Sequence, residues 1–249
     1  MQSENLTRIE LLRLLDELDS ATGEWLSVFL RWDSVQPRMT PAMLLSAADE
    51  CVVSVAAILE DEGVQRSVER YGTGLAVFRS LDATYAVVPP FPVLRDSARV
   101  GRPETGPLRE LLEQRRCIAF VLVTWGAYVA GLYEGLQYVA HKQGTGHIHQ
   151  HTKKGGSSQA RYQRRTQGQR AEFLRRAGGH IDDVFGAEQI DHLFFGGNRL
   201  ILRPLAEECD FVRRHLPVLS PRTLLVKRAT LSSLDGALGQ AYTSVSFRV

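Results

Sequence analysis

The stretch CIAFVLVTWGAYVAGLYEGLQYVAHKQ, residues 117–143, contains three short runs of β-branched, aromatic and aliphatic residues. Runs of this length and composition are typical of β-strands. Trp125 and Gly126 separate the first two runs, and a glycine at such a position is typical of a turn. The stretch therefore predicts a meander of three consecutive strands, from which the rest of the domain can be worked out.

The segment that follows the meander, HKQGTGHIHQHTKKGGSSQARYQRRTQGQR (141–170), cannot fill a hydrophobic core, because Ile148 and Tyr162 are its only large apolar side chains. We predict a mobile basic loop over 143–166. From His141 to Arg176 the chain has nine Lys and Arg residues and one acidic residue, Glu172, which leaves 21 basic and 27 acidic residues elsewhere. One strongly positive segment on a mildly acidic body favours contact with a polyanion.

Helices and strands are predicted on both sides of the meander. Thr40-Pro41 is a favourable helix start, and a helix is predicted from there to Gly63. The stretch 89–107 contains five prolines and predicts a linker or domain junction. The remaining predicted elements are helix 5–18, strand 24–32, a hairpin around Leu81-Asp82, helix 106–115, helix 166–186, strand 190–197 and, beyond it, alternating helices and strands.

This order of elements predicts an α/β fold in which helices flank a central mixed β-sheet. We divide the chain into an N-terminal α/β region of unassigned role, residues 1–100, and a second domain, residues 106–249. No run of residues approaches the length of a membrane span. The N-terminus does not resemble a secretory signal, and three widely spaced cysteines (Cys51, Cys117, Cys209) are typical of a reduced cytosolic protein.

Two local patterns within the basic segment suggest chemistry. His147, His149 and His151 alternate, so on a strand they would share one face and could bind zinc. No cysteine or acidic residue lies nearby and the segment is rich in glycine, so a role as additional positive charge is the better interpretation, and we expect no metal. We also expect no cofactor, because the chain has no Walker A motif and no GxGxxG between a strand and a helix.

The second pattern is Gly156-Ser157-Ser158-Gln159, which ends on a glutamine immediately before a run of arginines. Taken alone it is typical of a flexible turn. Within a basic segment it acquires a possible function, because a glutamine amide both donates and accepts hydrogen bonds and can orient a water molecule without being charged. Flanking glycines allow the backbone to approach a crowded reaction centre closely.

The order of three strands, a basic loop ending in Gly-x-x-Gln, a long helix and the strand HLFFGG (192–197) resembles the catalytic middle domain of class-1 eukaryotic and archaeal peptide release factors. In those factors a Gly-Gly-Gln loop enters the peptidyl-transferase centre and promotes hydrolysis of peptidyl-tRNA. The loop here is one residue longer, which is similar to the release-factor-like peptidyl-tRNA hydrolases of ribosome quality control, namely the ankyrin-and-zinc-finger tRNA hydrolase family and its shorter bacterial relatives. The resemblance covers about residues 115–243 and includes Gln159-Ala160-Arg161-Tyr162 and Phe194-Phe195-Gly196-Gly197-Asn198.

The resemblance implies that residues 106–249 are a catalytic domain that cleaves the ester between nascent peptide and tRNA on stalled large ribosomal subunits. It implies a catalytic loop formed by Gly156, Ser157, Ser158 and Gln159. The expected partners are the ribosomal RNA of the peptidyl-transferase centre and peptidyl-tRNA, without DNA or membrane, and the residues expected to contact RNA are Lys153, Lys154, Arg161, Arg164, Arg165 and Arg170. Two alternatives remain, a non-catalytic ribosome-binding factor that uses the same basic loop and a metal-dependent hydrolase that uses the three histidines.

Overall fold

A computed structural model describes residues 2–35, 49–148 and 158–248, with no side-chain description for 49–54 and 158–162. The chain forms two compact units, the first built from Met1–Gln114 and Gly239–Val249 and the second from Arg115–Leu238. This division differs from the predicted one, since the end of the predicted second domain belongs to the first unit. No helix among the described residues is both long enough and apolar enough to cross a membrane.

The first unit contains an antiparallel sheet of six strands in the order β1-β11-β4-β3-β2-β5. Its strands are β1 (Gln2–Leu6), β2 (Trp25–Leu30), β3 (Leu75–Arg79), β4 (Thr84–Val88), β5 (Ser97–Gly101) and β11 (Ser244–Arg248). Its helices are α1 (Arg8–Asp19), α2 (Trp32–Val35), α3 (Asp49–Glu60), α4 (Glu62–Tyr71) and α5 (Gly106–Glu113). A core of mostly aliphatic residues joins α3 and α4 to one face of this sheet.

Two predictions for this unit are wrong. Gly63 does not end a helix, because the Asp61 carboxylate accepts the backbone N–H groups of Gly63 and Val64 at 2.8 and 3.0 Å and so caps the start of α4. The predicted linker contains β5, which pairs with β2 at the edge of the sheet. The prolines around β5 indicated a linker, but edge strands tolerate nearby prolines, so these residues do not exclude a strand there. Thr40 and Pro41, the predicted helix start, lie outside the described residues.

The second unit contains a mixed sheet of five strands in the order β10-β9-β6-β7-β8. Strands β6 (Cys117–Thr124), β7 (Ala127–Glu134) and β8 (Gln137–Thr145) form the predicted antiparallel meander. Strands β9 (His192–Gly197) and β10 (Leu219–Leu224) run parallel to β6. The helices are α6 (Ser158–Phe185), α7 (Leu202–Glu208), α8 (Asp210–Arg214) and α9 (Ser233–Ala241, which continues into the first unit). The predicted mixed sheet with flanking helices is confirmed.

Helix α6 is 28 residues long and begins at Ser158, eight residues before the start that its apolar periodicity predicts. Its buried side chains begin at Phe173 and continue through Leu174, Ala177, Ile181 and Phe185. Residues 163–170 have no buried side chain, so no apolar face marks this part of the helix in the sequence. It is rich in Gln and Arg, which favour helix without tertiary contacts. The predicted loop 143–166 is therefore too long, because β8 reaches Thr145 at one end and α6 starts at Ser158 at the other.

Candidate functional site

The basic segment (141–170) leaves the sheet after β8 and returns to it through α6. The Trp125-Gly126 turn contacts both ends of this segment. The Gly146 N–H donates to the Gly126 carbonyl at 2.9 Å, in a turn where Gly126 has a φ of +90°. The Trp125 ring lies 6.5 Å from the Phe173 ring, and the Arg170 guanidinium lies 4.5 Å above the Trp125 ring. A single turn between β6 and β7 thus contacts the start of the segment and the helix that follows it.

The backbone at the end of β8 packs closely against the aromatic rings of Phe173 and Tyr128. A Cβ on Gly146 would lie 2.7 Å from Cδ2 of Phe173, and a Cβ on Gly144 would lie 2.6 Å from the Tyr128 ring. Tyr128 is buried against Phe173, and a hydrogen bond of 2.6 Å joins its hydroxyl to Nδ1 of His180. Burial raises the Tyr128 pKa, so the phenol stays neutral at physiological pH.

Replacing Trp125 with alanine is expected to lower the free energy of unfolding by about 2 kcal/mol, because it removes the contacts with Phe173 and Arg170 together. Trp125→Phe, which keeps an aromatic ring, should recover at least half of that loss. Urea unfolding followed by circular dichroism measures both variants. If Trp125→Ala were as stable as wild type, this turn would not hold the basic segment in place.

Helix α6 carries several exposed arginines. Arg164, Arg165 and Arg170 are exposed. Glu172 accepts a hydrogen bond of 2.8 Å from Arg175, and this pairing lowers the Glu172 pKa. Among the described ion pairs none involves Arg164, Arg165, Arg170 or Arg176. Glu172 therefore neutralises only Arg175, and the positive charge of the other four arginines stays unbalanced by any described ion pair.

Two of the four predicted catalytic residues, Ser158 and Gln159, fall at the start of α6. The backbone of Ser158 and Gln159 lies in the first turn of the helix, where backbone N–H groups have no helical acceptor. At about 1.5 Å per residue, residues 158–169 extend about 18 Å beyond the part of α6 that packs on the core. Arg161 also lies on this extension. The remaining predicted residues, Gly156, Ser157, Lys153 and Lys154, lie outside the described part of the chain.

The histidine hypothesis is not tested by the structure. His147 is exposed just after β8, whereas His149 and His151 lie outside the described residues. Within the described ranges no group of three His, Cys, Asp or Glu side chains is placed to hold a metal ion. The alternative of a metal-dependent hydrolase therefore rests on the sequence pattern alone.

Sequence reasoning missed the contacts that support α6 from below. Asp182 accepts the N–H groups of Asp210 and Phe211 at 2.9 and 2.7 Å and caps α8. Cys209 also donates to it at 3.4 Å, and burial raises the pKa of this thiol to about 12. Gly178 lies directly against the Glu208 carbonyl group. The Gly178-Gly179 pair within the helical pattern of 166–186 was the sequence signal for this close contact.

Comparisons with known proteins place the second unit in a family. Residues 116–245 match the family model described as the Actinobacteria/chloroflexi VLRF1 release factor. This segment contains β6–β8, the basic segment, all of α6 and the strands β9 and β10. No curated protein matches the sequence.

Solved structures show more distant likenesses, and 27 chains match in all. An archaeal translation termination factor, aRF1, is 19% identical with a TM-score of 0.39, over 95% of this chain and 73% of that one. Pelota from Archaeoglobus fulgidus is 10% identical with a TM-score of 0.33, and the match covers 96% of this chain and 61% of Pelota. The family model spans more than half of the sequence, so the chain belongs to the actinobacterial and chloroflexi VLRF1 release factor family, a family of release-factor-like translation proteins.

Proposed function

We propose that this protein is a peptidyl-tRNA hydrolase that releases the nascent peptide on stalled large ribosomal subunits. One observation carries the proposal: in a member of a release factor family, Gln159 lies in the first turn of a helix whose next turns are exposed and basic. A reactive group carried on such an extension reaches a pocket in RNA without unfolding the domain that carries it.

The chemistry assigned to Gln159 is positioning. A water oxygen attacks the ester carbonyl carbon and an oxyanion develops. The bond between that carbon and the ribose oxygen then breaks, and the ribose oxygen takes up the proton that the water gives up. The Gln159 side chain or backbone N–H orients the water and stabilises the oxyanion, and Gly156, Ser157 and Ser158 let the backbone come close. Good alignment of reactants can lower a barrier by about 7–11 kcal/mol, so a neutral amide suffices without an acid/base pair.

The basic residues supply the affinity in this proposal. Lys153, Lys154, Arg161, Arg164 and Arg165 contact the phosphates of ribosomal RNA and of the tRNA acceptor end, and counterion release drives the association. The contact of Arg170 with the Trp125 ring favours a second role for this arginine. Arg170 holds α6 on the sheet and so sets the direction of the basic extension.

A second candidate is a non-catalytic ribosome-binding factor. The observation that favours it is the exposed arginine face of α6, which accounts for RNA affinity without any chemistry. Both candidates predict association with large subunits. Only the hydrolase also predicts loss of peptide from tRNA.

The deciding experiment supplies purified large subunits that carry a labelled peptidyl-tRNA. Co-sedimentation measures binding, and separation of free peptide from peptidyl-tRNA measures release over the same protein concentrations. The hydrolase predicts release that saturates with binding. Binding that saturates without release above the rate in buffer would assign the second candidate.

A further inference from the structure

Two basic turns lie at the edge of the second sheet that is formed by the C-terminal ends of β6, β9 and β10. The basic segment leaves the sheet at the same place. Strands β6, β9 and β10 run parallel, so their C-terminal ends meet at the same edge. The end of β6 leads into the Trp125-Gly126 turn, and the end of β8 lies there as well, since Ala127 pairs with both Thr124 and Thr145. The turns after β9 and β10 therefore lie at the edge from which the basic segment leaves.

The turn after β9 is fixed to the end of β6. Gly197 has a φ of +100°, and a Cβ there would overlap the backbone of Val123. The next residue, Asn198, donates its backbone N–H to the Val123 carbonyl at 3.2 Å and accepts the Leu200 N–H on its side-chain oxygen at 3.0 Å. These bonds hold Arg199 in a single 3₁₀ turn, Arg199–Ile201.

The turn after β10 is fixed to the same strand end. Leu224 pairs with Gly196, and a Cβ on Gly196 would lie 2.9 Å from Cγ2 of Val226. Three residues later, the Ala229 N–H donates to Oγ1 of Thr124 at 3.4 Å. The residues between these two anchors, Lys227 and Arg228, are thereby held close to the edge.

The charge at this edge has one sign. Arg199, Lys227 and Arg228 are exposed, and none of them takes part in an ion pair of the described residues. Neither 196–206 nor 222–234 contains an aspartate or glutamate. Leu200, next to Arg199 in the chain, has 83% of its surface exposed. Cations held together by a rigid backbone without a counter-ion repel each other, and a bound polyanion relieves that repulsion.

We propose that Arg199, Lys227 and Arg228 form a second RNA contact surface, separate from the basic segment and preorganised by the end of β6. This inference rests on the proposed function, in which the partner is ribosomal RNA. Phosphates along an RNA strand are spaced so that several cations on neighbouring turns each meet one, and Leu200 packs against sugar or base. The surface contributes affinity and orients the domain while the extension of α6 reaches the ester.

The experiment uses the double variant Lys227→Ala/Arg228→Ala and the single variant Arg199→Ala in the full chain. Equilibrium binding to large subunits is measured over a salt series for each. Each lost phosphate contact lowers the steepness of log K against log [salt] by about 0.7–0.9. We expect the slope to fall by about 1.5 for the double variant and about 0.7 for Arg199→Ala, with affinity at least about tenfold weaker for the double variant.

The matched control is Arg213→Ala, which removes an exposed arginine of the same unit that pairs with Asp210 at 2.5 Å. It should leave the slope unchanged, and thermal unfolding checks that all variants are folded. Unchanged slope and affinity in the double variant would overturn the proposal, as would an equal loss in Arg213→Ala. Gln159→Ala, by contrast, should keep the wild-type slope while it loses release, so failure of Gln159 as the catalytic group and failure of this surface give different results.

Discussion

Gln159→Ala is expected to slow peptide release from stalled large subunits by at least about 100-fold. Removal of one preorganised hydrogen-bond donor from a site of acyl transfer costs about two to three orders of magnitude in rate. The dissociation constant for the subunit should change less than about threefold, because the side chain is neutral and adds nothing to counterion release. Single-turnover release at saturating protein measures the rate, and co-sedimentation measures the binding.

The matched control is Gln163→Ala, which truncates an exposed glutamine of α6 close to Gln159. It has the same effect on charge and helix propensity but should release peptide at the wild-type rate. Gln159→Asn keeps the amide and shortens its reach, so an intermediate rate is expected. Wild-type release by Gln159→Ala would remove the glutamine from the mechanism even if the protein proved to be a hydrolase.

Gly178→Ala is expected to lower the free energy of unfolding by about 3 kcal/mol. A Cβ at this position would overlap the Glu208 carbonyl oxygen, and it would lie 2.7 Å from the carbonyl carbon and 3.2 Å from the Cβ of Cys209. Backbone cannot turn aside as a side chain can, so α6 and the segment between α7 and α8 must move apart. Urea denaturation measures the change.

The neighbouring residue supplies an unusually close control. Gly179 lies in the same helix, and a Cβ there would have no heavy atom within 4 Å. Gly179→Ala should therefore stabilise the protein by about 0.5–1 kcal/mol through the higher helix propensity of alanine. Similar effects of the two substitutions would show that helix propensity, and not the contact with Glu208, decides the role of Gly178.

Much of the secondary structure that has its own apolar pattern was predictable, although α4, with buried Val64, Val68 and Tyr71, was missed. The three strands β6–β8 and the run His192–Gly197 appear where their β-branched and aromatic residues indicate. Parts of the chain without such a pattern were missed, because few of their side chains are buried. The four residues Gln2–Asn5 of β1 are all exposed, and the first turns of α6 contain no buried side chain among those described.

The sequence by itself determined the meander β6–β8 of the second unit, the concentration of positive charge between His141 and Arg176, and the resemblance to release factors. These properties are local, since each depends on neighbouring residues in the chain. Only the tertiary structure decided that Asp182 caps α8 and that Gly178 makes room for Glu208. Only the tertiary structure showed that Arg199, Lys227 and Arg228 lie at one edge of the second sheet. Contacts between residues far apart in sequence depend on which strands become neighbours, and strand composition alone does not determine that pairing.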